Sequence, residues 1–182
     1  HLDVPQTADF TCSDPVLNQL YRLGQMATLS NLQHMPTDCP TREKLGWAND
    51  AQASAEQMMI NYDTVRFFKK WLVDIQDSLR EDGAIPGIIP TPGWGYECGT
   101  GPVSSGVLFE VPYQIYLQTG DDRPLIECLP YFRRHLAYLL SRAGANGLIG
   151  FGLSDWAGPF ESLDSPPTPV EFTDSVLTVK CL

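Results

Sequence analysis

Thr64–Leu79 reads TVRFFKKWLVDIQDSL. Val65, Phe68, Leu72, Ile75 and Leu79 recur at steps of three and four, so they share one face of a helix. Lys69 and Lys70 fall on the solvent side. No strand would show this period, and no other stretch shows convincing strand alternation.

Upstream, Asp14-Pro15 is a helix start: Asp can cap the free N–H groups, and Pro suits the first helical position. That helix runs to about Ser30 and places Leu17, Leu20 and Leu23 or Gly24 on one face. A second spans about Asp50–Ile60. Downstream, a fourth covers about Gly106–Thr119, with Gly120 as its left-handed cap. A fifth covers about Arg123–Ala143, with Leu125, Leu129, Phe132, Leu136 and Leu139 expected on its buried face. A sixth begins near Thr173. Between them lie three long loops, 33–49, 82–105 and 144–172, dense in Gly, Pro and aromatics. Loops of that length are uncommon unless they carry function. The class is therefore all-α, with long loops presented at one end.

The 182 residues carry 22 Asp+Glu against 12 Lys+Arg, a formal charge of −10. That field repels phosphate backbones, which argues against nucleic acid, and it leaves neutral ligands such as sugars unpenalised. No apolar run approaches a membrane span. The five cysteines have wide spacings and no CxxC pair, so no structural metal site is expected. His34 near Asp38 is too few ligands for a metal, and the Gly-rich run 93–106 lacks a phosphate-loop ending, so no cofactor is expected. The chain starts at His1 with no signal-peptide pattern, which leaves the compartment open.

The chemistry concentrates in Met35–Asp50, MPTDCPTREKLGWAND. Asp38, Arg42, Glu43 and Asp50 sit there beside Trp47 and Asn49. A carboxyl group that protonates a glycosidic oxygen needs a dry wall or a neighbouring negative charge to hold its proton. A second carboxylate can hold sugar hydroxyls, and an indole face packs on a pyranose. Spacing alone leaves the plainer readings open: a loop ion pair for Asp38 and Arg42, and a core position for Trp47.

TDCPTREKLGWAND resembles the catalytic-acid motif of glycoside hydrolase family 78, the α-L-rhamnosidases. FTCSDPVLNQLY and SNLQHMP upstream, and DGAIPGIIP, VPYQIYLQTGDD and GFGLSDW downstream, keep the family's order. The resemblance implies part of an (α/α)6 toroid, the six-hairpin glycosidase fold, over residues 1–182 and amounting to about its first half. It implies an inverting exo-α-L-rhamnosidase in which Glu43 is the general acid. Asp38, Arg42, Trp47 and Asp50 would bind the substrate, an α-L-rhamnoside or related glycoside, and Trp156 would form a pocket wall unless it is a core residue. The family's general base would lie beyond Leu182, so the isolated segment is expected to be inactive and to self-associate through its exposed half-toroid face. Related sequences often carry Trp-Asp where this chain has Ser104-Ser105. That difference keeps a second reading open: a non-catalytic carbohydrate-binding or helical interaction fragment.

Overall fold

The computed structural model describes residues 2–155 and 168–182. Seven helices are found there: α1 Pro15–Asn31, α2 Ala48–Asn61, α3 Val65–Asp77, α4 Pro102–Ser105, α5 Val107–Thr119, α6 Arg123–Ser141 and α7 Val170–Cys181. Among the described residues the only β pairing is isolated bridges, so the all-α class holds. No described helix is long and apolar enough to cross a membrane.

Local sequence explains most boundaries. Asp14 caps α1 by accepting from the Val16 N–H at 2.8 Å, with Pro15 next in the chain. Gly120 closes α5 at φ 71°. Two helix starts differ from expectation by two residues or more, and one short helix is new. The second helix starts at Ala48 rather than Asp50, which puts Asp50 in its first turn. The last begins at Val170 rather than Thr173, because Pro169 enters with φ −54° and its carbonyl accepts from the Phe172 and Thr173 N–H groups. The short α4 escaped the sequence reading: a single turn is too short to show a period, and only Gly101-Pro102 marks its start.

The core gathers on α3 and α5. Phe68, Leu72, Ile75 and Leu79 are buried as their spacing required. Trp71 is also fully buried, and its indole N–H donates to the Ile89 carbonyl at 3.0 Å, so no polar atom of the ring is stranded. α5 packs on α2, α3 and α6. On α6 Leu139 is buried and Phe132 packs on the core as expected, but elsewhere the buried stripe is shifted by one residue from the expected one. Pro124, Cys128, His135 and Leu139 point inward, while Leu129 is exposed. A polar ring takes an inward place with Nδ1 satisfied by the Gly83 carbonyl at 2.8 Å, while Nε2 is buried without a partner among the described residues.

The segment 83–89 reads as loop but is buried throughout. Ile89 N–H donates to the Gly46 carbonyl at 2.8 Å, and Ala48 N–H donates to the Gly87 carbonyl at 2.9 Å. These bonds frame an antiparallel bridge between Trp47 and Ile88. The two loops thus clamp each other backbone to backbone, and that clamp positions the motif. On the outside, Val16, Leu17, Leu20, Leu23 and Met26 of α1 are exposed, as are Phe172, Val176 and Val179 of α7.

Candidate active site

Asp38, Glu43, Trp47, Asn49, Asp50, Cys98 and Leu153 line one cleft of about 320 Å³. Of the expected site residues, Asp38, Glu43, Trp47 and Asp50 meet there. Arg42 is exposed and is not in the cleft wall, and it forms no ion pair among the described residues. Trp156 lies outside the described residues.

The chain between Asp38 and Leu45 closes on itself. Asp38 N–H donates to the Leu45 carbonyl at 3.0 Å, and Leu45 N–H donates to Asp38 Oδ1 at 3.0 Å. The reversal requires Lys44 at φ 55°, an uncommon conformation for a residue with a Cβ. Such strain is typically kept where it serves a site. Within this loop the Glu43 N–H is held by the Cys39 thiol sulfur at 3.1 Å. The Glu43 carboxylate is fixed in turn: Trp47 Nε1–H donates to its Oε2 at 2.9 Å. One carboxylate oxygen is thereby oriented and the other is left for a proton.

The indole that holds Glu43 is itself held. Trp94 meets it edge-on with ring centroids 6.1 Å apart. Gly99 lies flat against it: a Cβ there would come within 2.2 Å of the ring. Ser104 pins Gly99 by donating its hydroxyl to the Gly99 carbonyl at 2.5 Å. Ser104 and Ser105 are buried, and neither lines the cleft. Ser104 braces the wall behind Trp47, and the Ser105 hydroxyl is buried without a partner among the described residues. Glu97 is exposed and also lies off the cleft, and Tyr96 is turned away to donate to the Ser78 carbonyl.

Asp50 sits in the first turn of α2, where the helix's partial positive charge favours an ionised carboxylate. Its pKa is nevertheless raised. Burial is the largest cause, with the negative charge of Asp38 next and that of Glu43 a smaller contribution. Asp38, Glu43 and Asp50 thus share one cleft, and the charges of the first two act on Asp50.

Two wall residues, Cys98 and Leu153, went unnoticed in the sequence. Leu153 comes from a loop anchored on both sides. Its N–H donates to the Thr100 carbonyl at 3.0 Å, and Gly152 (φ 104°) leaves no room for a Cβ against that same carbonyl. From α7, Asp174 Oδ2 accepts from the Phe151 N–H at 2.9 Å, and Ser175 Oγ accepts from the Ile149 N–H at 3.0 Å. The helix end of the chain thus carries the loop to the cleft.

A family described as the bacterial alpha-L-rhamnosidase 6 hairpin glycosidase domain matches residues 5–182. The chain belongs to that family. An alpha-L-rhamnosidase of Formosa agariphila is 31% identical over 166 residues, covering 86% of this chain and 17% of that protein. One of Streptomyces avermitilis is 32% identical over 160 residues, covering 86% of this chain and 15% of that protein. The structure of alpha-L-rhamnosidase from Dictyoglumus thermophilum superposes with a TM-score of 0.91 at 30% identity, over 100% of this chain and 20% of that one. The Streptomyces avermitilis enzyme complexed with L-rhamnose superposes with a TM-score of 0.89 at 28% identity, over 100% of this chain and 17% of that one. The chain spans only 15–17% of the length of these curated relatives. The helices described above are part of a six-hairpin (α/α)6 toroid.

Asp174 also sets a pH response in this six-hairpin glycosidase segment. Burial is the main cause that raises its pKa from 3.8 to about 6, so the native state holds a proton that the unfolded chain has released. Stability from this group falls as pH rises between 3.8 and 6. His135 has the opposite sign: burial lowers its pKa from 6.5 to about 4, so its contribution grows as pH rises through that range. The two largely offset. Asp174→Asn, which can still accept from Phe151, is expected to leave the His135 slope bare, with stability climbing from pH 4 to 6.5. Thermal melts across that range check this, and a variant with the parent's pH profile contradicts it.

Proposed function

We propose that this chain contributes the general-acid wall of an α-L-rhamnosidase that acts on terminal sugars with inversion. One observation carries the reading: Glu43 is oriented by the Trp47 indole N–H inside a cleft that also holds Asp38 and Asp50. The named activity of the relatives supports the substrate class.

In this reading the α-L-rhamnosyl ring lies against Trp47, with its hydroxyls held by Asp38 and Asp50. Protonated Glu43 donates to the glycosidic oxygen as the bond to the anomeric carbon breaks. The negative charges of Asp38 and Glu43 oppose ionisation of Asp50, the sign of electrostatics that a proton-donating cleft needs. Inversion needs a base on the opposite face of the sugar, roughly 6.5–9.5 Å from the acid, with room for water between them. The three cleft carboxylates come from one segment, 38–50, and form one wall. We therefore assign the base to a residue outside those described as lining this cleft. By itself the 182-residue segment is expected to show almost no turnover. Its exposed apolar stripes on α1 and α7 are expected to pair it with a second copy or another chain. Gel filtration showing a stable monomer contradicts that pairing.

The mechanism is tested on the complete protein by following an α-L-rhamnoside by proton NMR from the first seconds. The expected first product is β-L-rhamnose, which then mutarotates. Initial release of the α anomer means retention, and rejects the single-displacement reading.

A further inference from the structure

The backbone clamp fixes where Trp47 leaves the chain, not where its indole points. Two side-chain torsions still have to be set. The core does not set them, because Trp47 is only half-buried. Its bond to Glu43 is exposed, and a hydrogen bond that water can replace holds a ring weakly. Gly99 limits the six-membered end of the indole by close approach. The other aromatic in contact is Trp94, edge-on at 60° between the ring planes. Trp94 is itself 43% exposed and is not among the residues lining the cleft, so neither core packing nor the cleft accounts for it. Yet the loop that carries it is tied down. Thr91 Oγ1 accepts from the Gly93 and Gly95 N–H groups at 3.3 and 3.1 Å. The Gly95 carbonyl accepts from the N–H of Gly87, a member of the clamp, at 2.8 Å. Tyr96 donates to the Ser78 carbonyl, and the Arg80 guanidinium lies 3.6 Å over its ring. That is a rigid mount for an exposed indole.

We infer that Trp94 is a positioning residue for the acid: it turns the Trp47 indole so that Nε1–H meets Glu43. The inference rests on Glu43 being the proton donor, the function proposed above. Ring edges carry partial positive charge and ring faces partial negative charge, so an edge-on contact selects an angle where a plain apolar contact does not. Without Trp94 the indole is free to swing, and the Glu43 carboxylate loses the bond that orients it. A misaimed acid costs rate, because the proton must be delivered along one direction. The clamp is thereby coupled to the acid through Gly87, the 91–96 loop, Trp94 and Trp47 in turn.

The test measures kcat and KM in the complete protein on methyl and 2,4-dinitrophenyl α-L-rhamnosides, for the parent, Trp94→Ala and Trp94→Phe. Trp94→Ala is expected to lower kcat about ten-fold on the methyl glycoside, whose leaving group needs the proton, and to leave kcat on the dinitrophenyl glycoside near the parent's. Trp94→Phe keeps a ring edge and is expected to restore most of the loss. The sugar also lies against Trp47, so KM should rise alike on both substrates. A kcat deficit of equal size on both, a change confined to KM, or no change at all would overturn the inference. Should Trp94→Ala not fold, Trp94→Leu, which fills the space without a ring edge, takes its place with the same outcomes. If the parent turns over neither glycoside, or if Glu43→Gln matches it on the methyl glycoside, the proposed function fails instead. The crystal structure of the variant then decides the link from Trp94 to the indole by itself: Trp47 Nε1 drawn away from Glu43 supports it, and an unmoved indole overturns it.

Discussion

Glu43→Gln in the complete protein is expected to lower kcat by about 10²–10⁴-fold on a rhamnoside with a sugar or alkyl leaving group. The amide oxygen of Gln can still accept from Trp47 Nε1–H, so the loop and the indole keep their places. What is lost is the proton. An alkoxide leaving group without protonation is a poor one, so bond breaking slows while binding through Asp38, Asp50 and Trp47 persists. KM should therefore change little and the melting temperature not at all. Unchanged kcat would remove Glu43 from the chemistry. A lower kcat with a matching fall in melting temperature would make its role structural.

The second large effect is expected at Gly46, which has no side chain to take part in proton transfer. A Cβ added there would lie 2.1 Å from the Ile89 carbonyl oxygen and 3.0 Å from the Met35 sulfur. The obstacle is backbone, and that backbone is fixed on both sides. Ile89 N–H donates to the Gly46 carbonyl, and the Ile89 carbonyl accepts from Trp71 in the middle of the core. Relief requires parting the two loops, so Gly46→Ala is expected to cost about 3 kcal/mol, with Trp47 displaced and activity falling with it. Denaturant unfolding measures this. A loss below about 0.5 kcal/mol, the range of an ordinary surface change, contradicts the clamp.

These two residues show how unevenly the sequence announces its structure. α3 was legible because its apolar stripe is complete: Phe68, Leu72 and Ile75 are buried, and Val65 packs half-buried against the core. α6 was legible as a helix but misread in phase, since Cys128 and His135 take inward places that a hydrophobicity count gives to leucines. His135 can do so only because the Gly83 carbonyl is waiting for it, a contact across 52 positions. The clamp between 46–48 and 87–89 had no local signal, because backbone pairing between two irregular segments leaves no period in either. The site divides the same way. Asp38, Glu43, Trp47 and Asp50 lie within one short run, so reading the run found them together. Cys98, Leu153 and Ser154 are brought in by glycine contacts and by anchors from α7. The stretch GFGLSDW points to Trp156 rather than to Leu153 or Ser154, and nothing near Cys98 marks it as wall. At the positions where related sequences often carry Trp-Asp, Ser104 supports the loop behind Trp47 through its bond to the Gly99 carbonyl.

The central claim is that Glu43 supplies the proton to the leaving group. The most direct measurement is the leaving-group dependence of kcat for Glu43→Gln against the parent, across α-L-rhamnosides from alkyl to 2,4-dinitrophenyl. A dinitrophenolate departs without a proton, so the account predicts near-parent rates for that substrate and a deficit that widens steadily as the leaving group becomes more basic. A deficit of the same size on every substrate would contradict it and place Glu43 in binding or support rather than in proton transfer.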